Sequence, residues 1–493
     1  MSKYSAFKEH GFIISIQKLI AQVQQVYLSD DIPWVVGYSG GKDSTAALQI
    51  VWMALADLPL EKRHKPIHVI TNDTLVENPI VALWVNSSLD TIDAAAKEQN
   101  LPIKSNKLEP VTRDTFWVKL LGWGYPAPRP KFRWCTSRLK IDPTSRFIQK
   151  MVSSNGEAIV VLGTRKAESS ARAHVMEKHS KNSAREHLSQ HTSLTNAWIY
   201  SPIADWSNDD VWFFLMQSEN PWGYNNKDLL TMYQGATEGG ECPLVIDTNT
   251  QSCGSSRFGC WTCTLVDKDR SMEAMIQNDE EKEWMLPLLE LRNAIDFRTM
   301  GERGDRDLRD FRRMHGKTQL MHNGELIPGP YIQSFREKLL RLLLEGQQWI
   351  RDNGPEEVRE IELITLRELR MIRDVWVNEK HEVEDSLPYI YEDVTGCHFP
   401  DAKRFNLAGL GYEEMQLLKK CCDGDEIHYQ MVRELLHTEK EFSLMSKRSG
   451  LFKTLEKAIE RSFFENLEDA KQHALEKKKS GETIQEILHA VSS

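Results

Sequence analysis

Residues 34–49 read WVVGYSGGKDSTAALQ, and no other stretch constrains the fold as tightly. A short apolar run, long enough for one buried strand, feeds two glycines and a lysine. Small residues then open a helical pattern. Gly40 and Gly41 let backbone N–H groups approach an anion, Ser39 and Ser44 offer hydroxyls, Lys42 adds charge, and the following helix aims its positive end at the turn. The pattern is that of a phosphate-holding loop, with a glycine turn carrying a surface lysine as the plain alternative. It is not a Walker A loop, which places glycine at the position of Val36 and Ser or Thr at that of Asp43. Nor is it a GxGxxG turn.

The surrounding pattern repeats the strand–helix alternation. WVVGY (34–38), PIHVITND (66–73) and EAIVVLGT (157–164) read as strands, and the stretches after the first two read as helices. Strands alternating with helices predict βαβ units, hence an α/β fold whose parallel sheet carries helices on both faces. SGGKDS, TND and GTRKAESSAR then fall at strand C-termini, where such sheets bind ligands. Ahead of them, Phe12, Ile13, Ile16, Leu19, Ile20 and Val23 recur at helical spacing and predict a packed amphipathic helix rather than a signal peptide. Residues 170–197 are polar and Ser/His-rich, the composition of a loop or lid. In SPIADWSNDDVWFFL, Ser207 or Asn208 is placed to cap a helix through Val211, Phe214 and Leu215. Beyond residue 275 long helical patterns dominate, interrupted by a hairpin-like HNGELIPGPY. The tail from 470 has the composition of a solvated helix. The divisions expected are an N-terminal helix (1–30), a nucleotide domain (31–238), a cysteine-rich segment (239–275) and a mainly helical domain (276–493).

The 493 residues carry a net charge of −10, so attraction to nucleic acid must come from local basic stretches. Two exist. RPKFRWCTSRLKIDPTSRFIQK carries seven Arg or Lys residues around Cys135, and RTMGERGDRDLRDFRRMHGK interleaves Arg with acidic residues. The second fits either a phosphate track or a salt-bridged helix. Trp123, Phe132 and Trp134 are candidates for stacking on a base, or ordinary core aromatics. No apolar run is long enough to span a membrane, and a cytoplasmic protein is expected.

Eight cysteines in such a chain do not suggest a disulfide scaffold. Cys253, Cys260 and Cys263 form a Cys-x6-Cys-x2-Cys array, a spacing suited to one metal centre. The fourth thiolate would come from Cys135 or Cys242. Four thiolates suit zinc or an iron–sulfur cluster, and spacing leaves that open.

SGGKDS resembles the PP-loop signature of the ATP pyrophosphatase superfamily, whose fold is Rossmann-like. VLGTRKAESSAR, RWCTSRLK (with Cys135 and Lys140) and SPIADWSNDDVW resemble segments of its sulfonucleotide reductases. The resemblance implies that Ser39, Gly40, Gly41, Lys42, Asp43 and Ser44 hold the pyrophosphate of ATP, that Asp73 lies near adenosine and Mg²⁺, and that Gly163 and Arg165 form a further nucleotide segment. Lys42, Asp43 and Arg165 are then the candidate catalytic residues. Arg165 and Arg172 could grip phosphate or sulfate, or be surface ion pairs. Asp73 could equally be a strand-end turn residue.

CGSSRFGCWTC followed by TLVDKDRSM, together with the helical extension, is similar to the DndC family, the sulfurtransferases of bacterial DNA phosphorothioation. That likeness implies DNA as substrate, ATP with Mg²⁺, a [4Fe–4S] cluster on Cys135, Cys253, Cys260 and Cys263 (zinc being the alternative), sulfur from a cysteine desulfurase, and further subunits of a phosphorothioation complex. The rival expectations are a sulfonucleotide reductase, a tRNA thiolase and a non-catalytic zinc-bearing nucleotide sensor. The absence of a cysteine after Cys422 departs from the reductases, which carry a catalytic cysteine near their C-terminus.

Overall fold

The computed structural model describes residues 5–168, 173, 174, 176, 185–236, 259–400, 412–443, 445 and 447–492. The chain divides into two compact units, one of Met1–Val111 with Arg129–Leu289, the other of Thr112–Pro128 with Glu290–Ser493.

The first unit is built on a six-stranded sheet of order β3-β2-β1-β4-β6-β5. Its strands are β1 (Trp34–Gly37), β2 (Ile67–Asn72), β3 (Ile103–Leu108), β4 (Ala158–Val161), β5 (Ser189–Gln190) and β6 (Ala197–Tyr200). All neighbours are parallel except β5, which runs antiparallel to β6. Side chains alternate across the pleat, so Trp34 and Val36, with Ile159 and Val161, enter one core. Helices α1 (Phe12–Leu28), α2 (Lys42–Ala56) and α3 (Pro79–Glu98) cover that face. Val35, Ala158 and Val160 enter a second core under α4 (Asp142–Asn155). Both faces are therefore buried, as a parallel sheet requires.

The N-terminal helix forms where its spacing predicts, with one difference. Ile16 and Val23 are buried, but Ile13 is 69% exposed and lies off the packed stripe. Ser207 rather than Asn208 caps the helix Asn208–Gln217, its hydroxyl accepting from Asp210 N at 3.1 Å. Asp210 returns the bond to Ser207 N at 2.8 Å and also accepts from Ser5 Oγ at 2.6 Å and Ala6 N at 3.0 Å. One buried carboxylate thus caps a helix and holds residues 5 and 6.

The second unit is helical, with Gln333–Asn353, Leu366–Asp374, Ser386–Thr395, Glu426–Ser443, Leu451–Arg461 and Leu467–Ser492 among its helices. Buried Arg336 pairs with Glu382, and Trp376 Nε1 donates to Leu121 O at 2.7 Å. The hairpin-like segment is a hairpin, with Leu320 bridging Leu326 and Gly324 at φ +79° in its turn. Residues 298–317 do not form the salt-bridged helix that was one reading of them. Helical turns here are limited to Phe297–Thr299, which the stretch enters, and Arg306–Leu308, and most of its arginines bond to groups of their own unit. Arg309 donates to Gly329 O and Pro328 O, Arg313 to Pro328 O, Arg312 to Asp310, and Arg306 to Glu325. Among the described residues no helix is long and apolar enough to cross a membrane.

Candidate functional site

β1 neighbours β2 on one side and β4 on the other, so the chain winds away from it in both directions. At such a switch point the loops beyond the strands part and leave a crevice. Here the crevice is a cleft of about 850 Å³, lined by Gly37–Ser44 at and beyond the end of β1, Asn72 and Asp73 at the end of β2, and Leu162–Arg165 after β4.

Gly40 sits at φ +71°, a conformation costly for residues with a Cβ. A Cβ there would also lie 2.6 Å from Val85 Cγ2. Trp84 Nε1 donates to Gly40 O at 3.2 Å and fixes the turn. Ser39 N donates to Ser44 Oγ at 3.1 Å, and that hydroxyl donates to Gly41 O at 2.9 Å. Helix α2 starts at Lys42; its N-cap Gly41 has no side chain to cap it, and the Tyr233 hydroxyl accepts from Lys42 N at 3.4 Å. First-turn N–H groups have no acceptor within their own helix, so this end suits an anion. Lys42 Nζ lies 2.9 Å from Asp43 Oδ2 and 5.8 Å from the centre of the Tyr233 ring. Burial pushes the Tyr233 hydroxyl up to about 12, so it stays protonated beside the loop.

Gly163 lets β4 run against the first turn of α2, because a Cβ there would lie 2.4 Å from Asp43 O. Arg165, only 4% exposed, donates Nε to Asp43 Oδ1 at 2.7 Å and Nη1 to Trp206 O at 3.3 Å. Asp73 accepts from Leu75 N at 2.8 Å and pairs with Lys107 at 2.6 Å. It lines the cleft and also serves the turn after β2.

Cys260 approaches this cleft through residues whose sequence neighbourhood gives no hint of it. It bridges Glu77 in a short antiparallel contact, with Trp261 N donating to Val76 O at 3.0 Å. Its sulfur lies 3.4 Å from Thr74 Oγ1 and 3.8 Å from Glu77 Oε1. Lys140 Nζ lies 3.5 Å from the same Glu77 oxygen, and both Lys140 and Glu77 line the cleft. Burial and the Glu77 carboxylate push the Cys260 thiol up to about 12, and Lys140 opposes them. Burial also raises Cys135, with a further contribution from Cys263. Of the residues missed at the sequence level, Glu77, Thr74, Lys107 and Tyr233 carry no motif. Only their meeting in space marks them.

Cys135, Cys260 and Cys263 are partly buried and form no disulfide among the described residues. Cys253, Cys242 and Arg172 lie outside the described residues. Among the described residues no group of three or more His, Cys, Asp or Glu side chains is arranged to hold a metal ion. The described thiols alone therefore do not make a four-thiolate site.

Residues 33–266 match the family model of the phosphoadenosine phosphosulfate reductase domain, so the chain carries a domain of this kind within the PP-loop superfamily. An uncharacterized protein of Methanocaldococcus jannaschii is 26% identical over 203 residues, 41% of this chain and 35% of that protein. The chain thus spans about a third of the curated relative it matches. The crystal structure of phosphoadenylyl-sulfate (PAPS) reductase from Candida auris, a phosphate complex, is similar at 14% identity. It covers 44% of this chain and 90% of that one, with a TM-score of 0.26.

Proposed function

We propose that the protein is an ATP-dependent sulfurtransferase of the DndC kind, which replaces a non-bridging phosphate oxygen of DNA with sulfur. One observation carries this reading: Lys140 lines the same cleft as Ser39–Ser44 and shares Glu77 with Cys260. A glycine-rich loop suited to phosphate and a partly buried thiol that touches a cleft-lining carboxylate support this reading, since a nucleotide must activate an oxygen that sulfur then replaces.

A DNA phosphodiester is a poor electrophile with a poor oxygen leaving group, so it must first be activated. Its oxygen attacks the α-phosphorus of ATP, pyrophosphate leaves, and a mixed anhydride with AMP forms. Lys42 and the N–H groups opening α2 stabilise the charge that gathers on the departing pyrophosphate. A persulfide, supplied through a cysteine desulfurase, attacks the DNA phosphorus with its terminal sulfur, and AMP leaves carrying the original oxygen. A second thiol then attacks the carrier cysteine's sulfur, leaving a disulfide and the phosphorothioate. The expected [4Fe–4S] cluster or zinc on Cys135, Cys253, Cys260 and Cys263 is decided by iron, sulfide and zinc analysis of anaerobically purified protein. No step above passes through it.

Replacing Lys42 by Ala should abolish release of AMP and pyrophosphate. Release at the wild-type rate would remove the loop from the mechanism. The family match of residues 33–266 favours a second reading, a sulfonucleotide reductase. Sulfite released from APS or PAPS, with no labelled sulfur entering DNA, would establish it. Label entering RNA instead would make the protein a tRNA thiolase.

A further inference from the structure

In the helical unit, Gln333–Asn353 buries Leu339, Leu340, Leu343 and Leu344, and Leu366–Asp374 buries Leu369 and Ile372. The helix Leu451–Arg461 is built the other way round and buries only Ala458. Its fastening is polar and sits at its end. Arg461 Nη1 donates to Glu434 Oε1 at 2.9 Å, and the Arg461 carbonyl accepts from Arg312 Nη1 at 3.3 Å. Phe452, Leu455 and Ile459 share one face at helical spacing, and Phe463 follows just past the helix end. Phe452 is 86% exposed, Phe463 70% and Ile459 47%. Single exposed apolar side chains are ordinary on a protein surface, but a contiguous row of them marks a place of contact.

With His473 of the following helix, Leu467–Ser492, this row lines a groove of about 810 Å³. The back of the groove is held in place, since the Phe464 ring meets Phe311 and His473 edge-on, at 6.1 and 5.8 Å between centres. Its carboxylates are Glu456 and Glu460, both exposed, and neither forms an ion pair among the described residues. An apolar row with two unneutralised carboxylates along its edge suits a partner that brings cations. A second copy of this chain would set the acidic edge against itself in a two-fold contact, which like charge opposes. An anionic lipid surface meets the same repulsion. A partner helix of about three turns, apolar at every third and fourth position and flanked by Lys or Arg, matches both the row and its edge.

We infer that this groove docks a basic amphipathic helix of a partner protein, with Phe452 and Ile459 meeting its apolar residues and Glu456 and Glu460 its cations. The inference stands on the helical unit alone and is independent of the reaction proposed above. The test is fluorescence anisotropy of the full chain with labelled synthetic helical peptides. Both carry Leu at every third and fourth position, flanked by Lys in one peptide and by Glu in its match. The Lys peptide should bind and the Glu peptide should not. Phe452→Ala should weaken the Lys peptide about tenfold or more, as expected for one lost aromatic anchor. Glu456→Lys/Glu460→Lys should exchange the preference, so that the Glu peptide binds the better. These positions are exposed, so unchanged thermal melting of each variant shows that the fold is intact. Failure of the Lys peptide to bind, or binding that neither variant alters, overturns the proposal. So does a dimer in sedimentation that Phe452→Ala dissociates, which makes the groove a self-contact, or binding of phosphatidylglycerol vesicles that Phe452→Ala abolishes.

Discussion

Arg165 donates Nε to Asp43 Oδ1 at 2.7 Å, joining the loop after β4 to the first turn of α2. The same guanidinium reaches Trp206 O, and Glu168 accepts from the Arg165 backbone N–H at 3.0 Å. Asp43 is shared in turn with Lys42. The resemblance casts Arg165 as a phosphate-gripping side chain, yet this geometry has it holding the carboxylate beside the phosphate loop. Lysine at this position has one charged tip and cannot span Asp43 and the Trp206 carbonyl together. Arg165→Lys should therefore cost about 1.5–3 kcal/mol in urea unfolding, as expected for a lost hydrogen bond to a charged group. It should also weaken ATP binding. If ATP affinity is unchanged while stability falls, Arg165 serves the fold alone.

Gly163 gives a sharper test of the same junction. An alanine Cβ would meet Asp43 O at 2.4 Å, and that atom is backbone at the start of a buried helix, with little freedom to retreat. Gly163→Ala should destabilise by about 1–3 kcal/mol through overpacking and should disturb the phosphate loop. Gly235→Ala is the matched control, since nothing lies within 4 Å of its Cβ position. Its expected effect is neutral to about 1 kcal/mol stabilising. Equal losses at the two positions would mean that the β4–α2 contact is not tight in solution.

Ser207 shows how far a local signal reaches. A cap at Ser207 or Asn208 was legible because capping is a short-range bond, and Ser207→Ala should cost about 1 kcal/mol. That Asp210 also holds Ser5 and Ala6, about 200 residues earlier, had no local signal. Asp210→Ala should thus cost more than Ser207→Ala in urea unfolding and should speed proteolytic clipping near residue 5. Equal costs would mean that the N-terminal bonds add nothing.

The same division runs through the fold. β1 and β4 are short apolar runs buried on both faces, and β2, IHVITN, is mostly buried, so they were legible for that reason. β3, with the sequence IKSNKL, is a sheet edge where only Ile103 is fully buried, so its composition resembles a loop. β6 becomes a strand by pairing with β4, and β5 by pairing with β6, which no short window reveals. At the site, the glycine loop was legible because positive φ and close backbone approach demand glycine locally. Glu77 was not, since its meeting with Cys260 spans 183 residues. The arginines of residues 298–317 looked available only because the carbonyls that receive them come from the following hairpin.

His381 ties the stability of the helical unit to pH. Its Nδ1 lies 2.7 Å from Nδ1 of His437, so one ring must present an unprotonated nitrogen to the other. Burial, then His437, then Arg433 and Arg461, push the His381 imidazole down to about 4. Burial lowers His437 as well, with Glu441 opposing and Lys440 assisting. In the unfolded chain a histidine protonates near 6.5, so unfolding takes up a proton that the folded unit refuses. The stabilising contribution is complete above about pH 6.5, declines as pH falls, and is gone below about 4. Asn can replace His381 without titrating and tolerates its φ of +57°. His381→Asn should flatten the fall in urea midpoint between pH 6.5 and 4, leaving the residual slope to His437 and the carboxylates. A variant as acid-sensitive as the wild type would show that this pair is not kept neutral in the folded protein.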